Sequence, residues 1–410
     1  MPVNFSDIEQ ARERIRGVIN RTPLVYDERL SNELGSRMFL KAECLQRAGS
    51  FKVRGAYNKI SQLTEEEKQR GVITASAGNH AQGVALAAKL QNIKATIVLP
   101  EFAPLTKVVA TKALGADVIL RGDSFDAAVA YSRELEKERG LTYVHAFDDP
   151  LIIAGQGSIG IEIAESQSDI TAVVVPIGGG GLIAGIALAV KHLLPNVRVI
   201  GVQAANVPSV NPSLAAGEPL EATARPTIAD GIAVKRPGNL TLPIIREFVD
   251  DVVEVTEEEI AEGIFHCVQN AHIVVEGAGA ASVAALLSGK AKIKAGETAA
   301  AILAGGNIDG NLLSRILEQV LVREGRYVIL RLLVLDRPGQ LAGLLNHVAE
   351  IEANVVEINH KRAIWLAPLG YTGIEMILEV RDEPHAAEVY KYLENAGYRV
   401  EREGLPKWTS

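Results

Sequence analysis

Lys52 lies between Phe51 and Val53 in the stretch Gly49-Ser50-Phe51-Lys52-Val53-Arg54-Gly55-Ala56. An aromatic and a short branched neighbour at a loop-to-helix junction can shield its amine from water. Desolvation disfavours the ammonium form, and a neutral amine is what condenses with an aldehyde or removes a proton. A second stretch, Pro176-Ile177-Gly178-Gly179-Gly180-Gly181-Leu182, falls between a predicted buried strand and a predicted helix. Four glycines let the backbone approach a ligand and turn its amides inward, while the helix start adds positive potential. That is the chemistry of a phosphate cradle. Ile183 stands where a G-x-G-x-x-G begun at Gly178 needs its last glycine, and no Gly-Lys-Ser/Thr follows. The dinucleotide fingerprint and the Walker loop both fail. In Ser76-Ala77-Gly78-Asn79-His80 the serine hydroxyl and free amides suit a carboxylate, and Asn79 suits an oxygen on a ring. The same residues also read as a plain helix N-cap. Ala304-Gly305-Gly306-Asn307 follows one more buried strand.

Placing these loops together requires strands that end side by side. From residue 37 to 303, β-branched runs of four to six residues alternate with longer helical patterns, the mark of βαβ units and a parallel sheet. In such open sheets ligands gather at the carboxyl edge. Ser6-Asp7-Ile8-Glu9 reads as a capping box opening a first helix. Thr64 to Glu67 and Thr256 to Glu259 read as two more. Residues 205–237 have weak periodicity and several prolines, and are expected to form a long loop. After residue 326 the order becomes β-α-β-β-α-β, the ferredoxin-like plan. The expected fold class is α/β: a doubly wound domain over 1–322, with a smaller subdomain at about 53–153 inserted in the larger, then a second domain over 327–410.

Composition narrows the function classes. The chain has 410 residues, a formal net charge of -8 and no block of consecutive basic residues, which argues against nucleic acid or an anionic membrane as partner. Cys44 and Cys267 lie in no metal-ligand spacing and are expected to be reduced and buried. No basic region followed by an apolar run opens the chain, and apolar runs such as 182–190 are too short to span a bilayer. These features fit a cytoplasmic protein.

An imine-forming lysine, a phosphate cradle and a carboxylate loop together describe a site for pyridoxal phosphate and an amino acid. With Ala154-Gly155-Gln156-Gly157, Thr227-Ile228-Ala229-Asp230-Gly231, Glu276 to Ala280 and Gly305-Gly306-Asn307, the chain resembles the threonine ammonia-lyases (threonine dehydratases) and neighbouring serine racemases. That resemblance covers nearly all of residues 1 to about 322 and implies the tryptophan-synthase-β-like fold. The C-terminal piece resembles an ACT domain. By the same resemblance Lys52 would carry the cofactor and remove the substrate α-proton, and Asn79 would bond the cofactor's phenolic oxygen. Gly178, Gly179, Gly180, Gly181 and the Leu182 amide would hold the phosphate, and Phe51 and Gly231 would flank the ring. Ser76, Gly78, His80 and Gln156 would receive the substrate carboxylate.

Three departures from the family matter. Ala304 stands where a serine usually meets the pyridine nitrogen. Ala77 replaces the racemases' second acid-base serine, which favours elimination. Gln203 and Ser209 occupy the stretch where the racemases hold a divalent metal, so no metal is expected. The resemblance implies elimination of L-threonine, and of L-serine, to 2-oxobutanoate or pyruvate and ammonia, as in isoleucine biosynthesis. The alternatives are a lyase for another β-hydroxy amino acid, a serine racemase, or a non-catalytic amino-acid sensor. A homo-oligomer of two or four subunits is expected, with an isoleucine effector and valine antagonist bound near Gly339, Gln340 and Asn354.

Overall fold

The computed structural model describes residues 1–361 and 367–402, and the chain divides into two units, Met1–Asp309 and Gly310–Ser410. In the first unit a six-stranded sheet has the order β1-β2-β10-β7-β8-β9. Its members are β1 (Leu24–Tyr26), β2 (Arg37–Lys41), β7 (Ala172–Pro176), β8 (Arg198–Ala204), β9 (Asp251–Val255) and β10 (Thr298–Ile302). Only β1, the edge strand, runs antiparallel to its neighbour. β7 and β10 are buried at every residue, as strands covered on both faces must be.

Between β2 and β7 the chain builds a separate parallel sheet of order β5-β4-β3-β6. It comprises β3 (Val72–Ala75), β4 (Ala95–Leu99), β5 (Asp117–Leu120) and β6 (Thr142–Tyr143). Val72, Ile97, Leu99 and Val144 from this sheet region, with Val53 and Ile60 from the Lys52–Ile60 helix and Val84 from the Asn79–Leu90 helix, share one core cluster. The helix carrying Lys52 therefore packs into the smaller layer. A Cβ on Gly83 would lie 3.0 Å from the Lys52 backbone, so the Asn79 helix presses directly against the start of the Lys52 helix.

The second unit contains a helix, Gly310–Arg323, then β11 (Tyr327–Leu335), a helix Gln340–Glu350, β12 (Asn354–Lys361), β13 (Tyr371–Glu379), a helix Glu383–Asn395 and β14 (Arg399–Arg402). The sheet is antiparallel, of order β12-β13-β11-β14. Alternate residues Val328, Leu330, Leu332 and Val334 of β11 are buried. They pack with Leu344, Val348, Val389 and Leu393 from the two later helices. The amphipathic helix Gly310–Arg323, expected to close the first domain, groups with this unit.

Two of the local expectations stated above differ from the structure. The first helix starts at Phe5, not after Ser6, because Asn4 accepts from the Asp7 amide while the Asp7 carboxylate reaches back to the Asn4 amide. Residues 205–237 include a helix, Val210–Ala216, whose entry is held by Gln203: its oxygen accepts from the Val210 amide at 2.8 Å and its nitrogen donates to Ser209. The boxes at Thr64 and Thr256 are present.

Candidate active site

The turn before Lys52 is tightly specified. Ala48 and Gly49 both adopt left-handed backbone, with φ of 59° and 70°. A Cβ on Gly49 would lie 2.3 Å from Asn307 Oδ1, so no other residue fits there. Ser50 then bridges to Gly305, and the Phe51 amide donates to Ala304 O. These two contacts tie the lysine's loop to the end of β10. Lys52 Nζ donates to Ala146 O at 3.1 Å and lies 5.1 Å from the centre of the Phe51 ring. Lys52 is partly buried, and burial lowers its pKa to about 8, with Glu276 acting in the opposite direction.

The glycine loop leaves β7 and enters the Gly181–Leu193 helix through Gly180, at φ 95°. The Gly179 carbonyl is turned outward and accepts from Thr241 Oγ1 at 2.7 Å and the Gly238 amide at 3.1 Å. The amides of Gly178, Gly179 and Gly180 find no acceptor among the described residues. Unpaired amides beside a helix N-terminus are what an anionic oxygen requires. Phe147 packs so closely on Gly179 that a Cβ there would lie 2.4 Å from its ring.

Ser76 to His80 joins β3 to the Asn79 helix. Ser76 Oγ accepts from the Gly78 amide at 3.2 Å, so the loop folds on itself before the helix begins. His80 is buried and its Nε2 meets Val144 O at 2.9 Å. Burial, with the charge of Lys52, pushes its pKa down to about 3, which keeps the ring neutral. The ring is thus placed by the backbone after β6. Gln156, also buried, accepts from the Gly55 amide at 3.2 Å and couples the Pro150–Ser166 helix to the Lys52 helix.

Asn79 lies among groups from three other segments. Its Nδ2 donates to Glu276 Oε1, and its Oδ1 accepts from Asn307 Nδ2 at 2.8 Å. Cβ atoms on Gly231 and Gly305 would approach Glu276 Oε1 to 3.4 and 2.4 Å, so both glycines open room beside the Asn79–Glu276 pair. Glu276 is buried, and burial together with Asp230 pushes its pKa up to about 7. Ala304, also buried, lies just beyond the end of β10 and offers only a methyl group.

Sequence reasoning gave no role to Ala146, Phe147, Glu276 or Asn307. The first two follow a two-residue strand with little sequence signal. Glu276 and Asn307 stood inside recognised motifs, but their task depends on partners roughly 200 or more positions away. Gly339, at φ 90°, caps the Gln340–Glu350 helix in the second unit, and Asn354 starts β12, where its amide donates to Glu379 at 3.4 Å. Among the described residues no helix is long and apolar enough to cross a membrane, and no group of three or more His, Cys, Asp or Glu is placed to hold a metal ion.

The chain is similar to known proteins over most of its length. Over 398 residues the chain is 48% identical to an L-threonine ammonia-lyase of Thermotoga maritima, covering 97% of this chain and 99% of that one. A threonine deaminase isoform of Solanum lycopersicum has 41% identity and a TM-score of 0.72, over 76% of this chain and 93% of the other. Maize serine racemase has 35% identity and a TM-score of 0.74, over 79% of this chain and 100% of the other. Residues 15–305, which contain Lys52, the glycine loop and Asn79, match the family model described as pyridoxal-phosphate dependent enzyme. A match over that much of the chain shows that the protein belongs to the family of pyridoxal-phosphate-dependent enzymes.

Proposed function

We propose that this protein is an ammonia-lyase that converts L-threonine to 2-oxobutanoate and ammonia and, secondarily, L-serine to pyruvate and ammonia. The observation that carries this is the placing of Lys52. Burial lowers the pKa of its amine to about 8, and its loop is tied to the end of β10. Relatives named for this reaction match almost the whole chain.

The residues present fit the cofactor. Three loop amides lack acceptors, Gly231 and Gly305 leave space where a side chain would intrude, and Ser50 Oγ is buried without a partner among the described residues. When bound, pyridoxal phosphate supplies an aldehyde carbon for an amine and a ring that withdraws electrons from the substrate α-carbon.

The chain's own groups then divide the work. The amides of Gly178, Gly179, Gly180, Gly181 and Leu182 would bind the phosphate. Phe51 and Gly231 would flank the ring, and Asn79 would donate to the ring oxygen. Ser76, Gly78 and the neutral His80 orient the substrate carboxylate, with Gln156 beneath holding the helix that carries Lys52. Lys52 Nζ takes the α-proton, which a neutral amine can do and an ammonium cannot. Ala304 cannot donate to the ring nitrogen, which weakens the ring as an electron sink and suits β-elimination, since elimination needs less of that sink than transamination does. Ala77 supplies no acid-base group on the opposite face, and this favours loss of the β-hydroxyl over return of a proton.

The second unit, with its β-α-β-β-α-β order, is proposed to be an ACT regulatory domain that takes isoleucine near Gly339, Gln340 and Asn354, with valine as antagonist and homo-oligomer assembly. Release of 2-oxo acid from a panel of β-hydroxy amino acids tests the catalytic proposal. L-threonine should turn over best; a preference for hydroxyaspartate, or no turnover by the pyridoxal-phosphate-loaded protein, would overturn it.

A further inference from the structure

A backbone carbonyl can only accept, and this fixes every amide in the chain of contacts that ends at Asn79. Asn307 Nδ2 lies 2.9 Å from Ala48 O and 2.8 Å from Asn79 Oδ1. Because Ala48 O cannot donate, the Asn307 group facing it must be the NH2, and that amide cannot be flipped. Its two hydrogens are used by Ala48 and Asn79, with Gln82 Oε1 a longer contact at 3.4 Å. Asn79 must therefore turn its oxygen toward Asn307 and its nitrogen toward Glu276. One Asn79 hydrogen goes to Glu276. The other is left for the space beside Gly305 and Gly231, whose Cβ positions would lie 3.0 and 3.9 Å from Asn79 Nδ2.

We propose that Asn307 is a positioning residue that locks the Asn79 amide so that Asn79 only donates, and never accepts, toward the ring oxygen of bound pyridoxal phosphate. This rests on the reading above, in which Asn79 meets that oxygen. Asn307 is itself anchored by the left-handed Ala48-Gly49 turn, against which its side chain is seated. Remove it, and the Asn79 oxygen loses its donor, leaving the Glu276 contact to hold the amide. Aspartate at 307 is the sharpest perturbation. It keeps the shape but faces Ala48 O and Asn79 Oδ1 with an acceptor, so Asn79 is driven to present its nitrogen to position 307 and its oxygen to the ligand.

The test is calorimetric titration of the cofactor-free protein with pyridoxal phosphate for wild type, N307D, N307A, N79A and N79A/N307A, with melting followed by circular dichroism. N307D and N307A should each weaken binding about tenfold, the order of one lost hydrogen bond to a charged group. Adding N307A to N79A should cost less than about twofold more, because both remove one interaction. N307D binding within twofold of wild type would overturn the proposal. So would a full N307A penalty in the N79A background, which marks a merely structural role. If N307D does not fold, N307A and N307S are judged by the same criteria. Lys52→Ala separates the two claims: if that variant keeps the visible band of the loaded protein, the reading of the site fails first; if the band is lost but N307A binds normally, only the role of Asn307 fails.

Discussion

Arg54, two residues after Lys52, is fully buried and makes two bidentate pairs. Nε and Nη2 donate to Glu43 at 2.8 and 2.8 Å, and Nη1 and Nη2 to Glu162 at 2.7 and 2.9 Å. Lys41 Nζ closes the group on Glu162 at 2.6 Å, and Thr22 donates to Glu43. Arg54→Met removes one cation and leaves two buried carboxylates. Glu162 keeps the Lys41 ion pair, while Glu43 loses both guanidinium hydrogen bonds and keeps the Thr22 hydroxyl and the nearby charge of Lys41. Breaking a buried pair by deleting one partner costs about 3–5 kcal/mol, so the holoenzyme's melting point should fall on the order of 5–10 °C.

The defect has a pH signature. In the wild type, burial works to raise the Glu162 pKa, but Arg54 and Lys41 outweigh it and hold it below its usual value. A depressed carboxyl pKa contributes stability above the unfolded value, and that contribution is lost as pH falls through the folded one. Loss of Arg54 removes part of that contribution, so the gap between the proteins widens as pH rises from below the usual carboxylate range toward neutrality. Removing all four charges in K41M/E43Q/R54M/E162Q should recover most of the loss, since replacing a whole buried ionic group is often neutral. Scanning calorimetry at about pH 3.5 and about pH 7, on either side of the usual carboxylate range, checks this. An R54M melting point within about 2 °C of wild type at pH 7, or a gap that narrows as pH rises, would refute the reasoning.

Lys52→Ala should lose the cofactor's visible band, and turnover should fall by roughly 10²–10⁴-fold or more; persistence of both removes the central claim. Because burial lowers the Lys52 pKa to about 8, the rate at which cofactor-free protein takes up pyridoxal phosphate should climb as pH passes through about 8, and a stopped-flow profile flat from 7 to 9 would contradict that. Lys107 pairs with Asp230, and Asp126 with Lys235 at 3.3 Å, each joining the smaller sheet's layer to residues 230–235 beside Gly231. Exposed pairs are worth about 0.2–1 kcal/mol, so K107Q should raise KM no more than about fivefold with kcat within about twofold, and salt should mimic it in wild type only. From L-serine, pyruvate should outpace D-serine; equal rates would show an acid on the face where Ala77 lies. Isoleucine should shift the threonine saturation curve of the full chain within the roughly 5–150-fold range of allosteric coupling, and an unchanged curve would sink that effector.

The parts of the site legible in the sequence are those whose chemistry is local. Gly178 to Gly181 announce a close backbone approach by composition alone, and Lys52 is marked by its immediate neighbours. Ser76 to His80 is placed by the strand before it and the helix after it. The Gly277–Leu287 helix was not legible, because residues 277–286 are all buried and an element apolar on every side has no 3.6-residue period to detect. β9 was missed because Asp251 to Glu254 mixes charge with β-branched residues and none of the four is fully buried.

What sequence cannot supply is pairing across distance. Arg54 reads as a charge beside Lys52, and nothing local says that Glu43 and Glu162, 11 and 108 positions away, close on it from two sides. Asn307 likewise looks like a loop residue until the Ala48 turn and Asn79 are brought to it across 259 and 228 positions. Both act on the reacting groups only through others: Arg54 anchors the helix that begins at Lys52, and Asn307 sets which atom of Asn79 faces the cofactor. The residues that do the chemistry are thus written in short motifs, because they must present particular atoms from particular loops. The residues that aim them are set by the fold, since any buried partner of the right polarity at the right place would serve. The same division explains the second unit, where alternation in β11 predicts the sheet and Gly339 the turn, while the ligand that turn would hold is written in no single stretch.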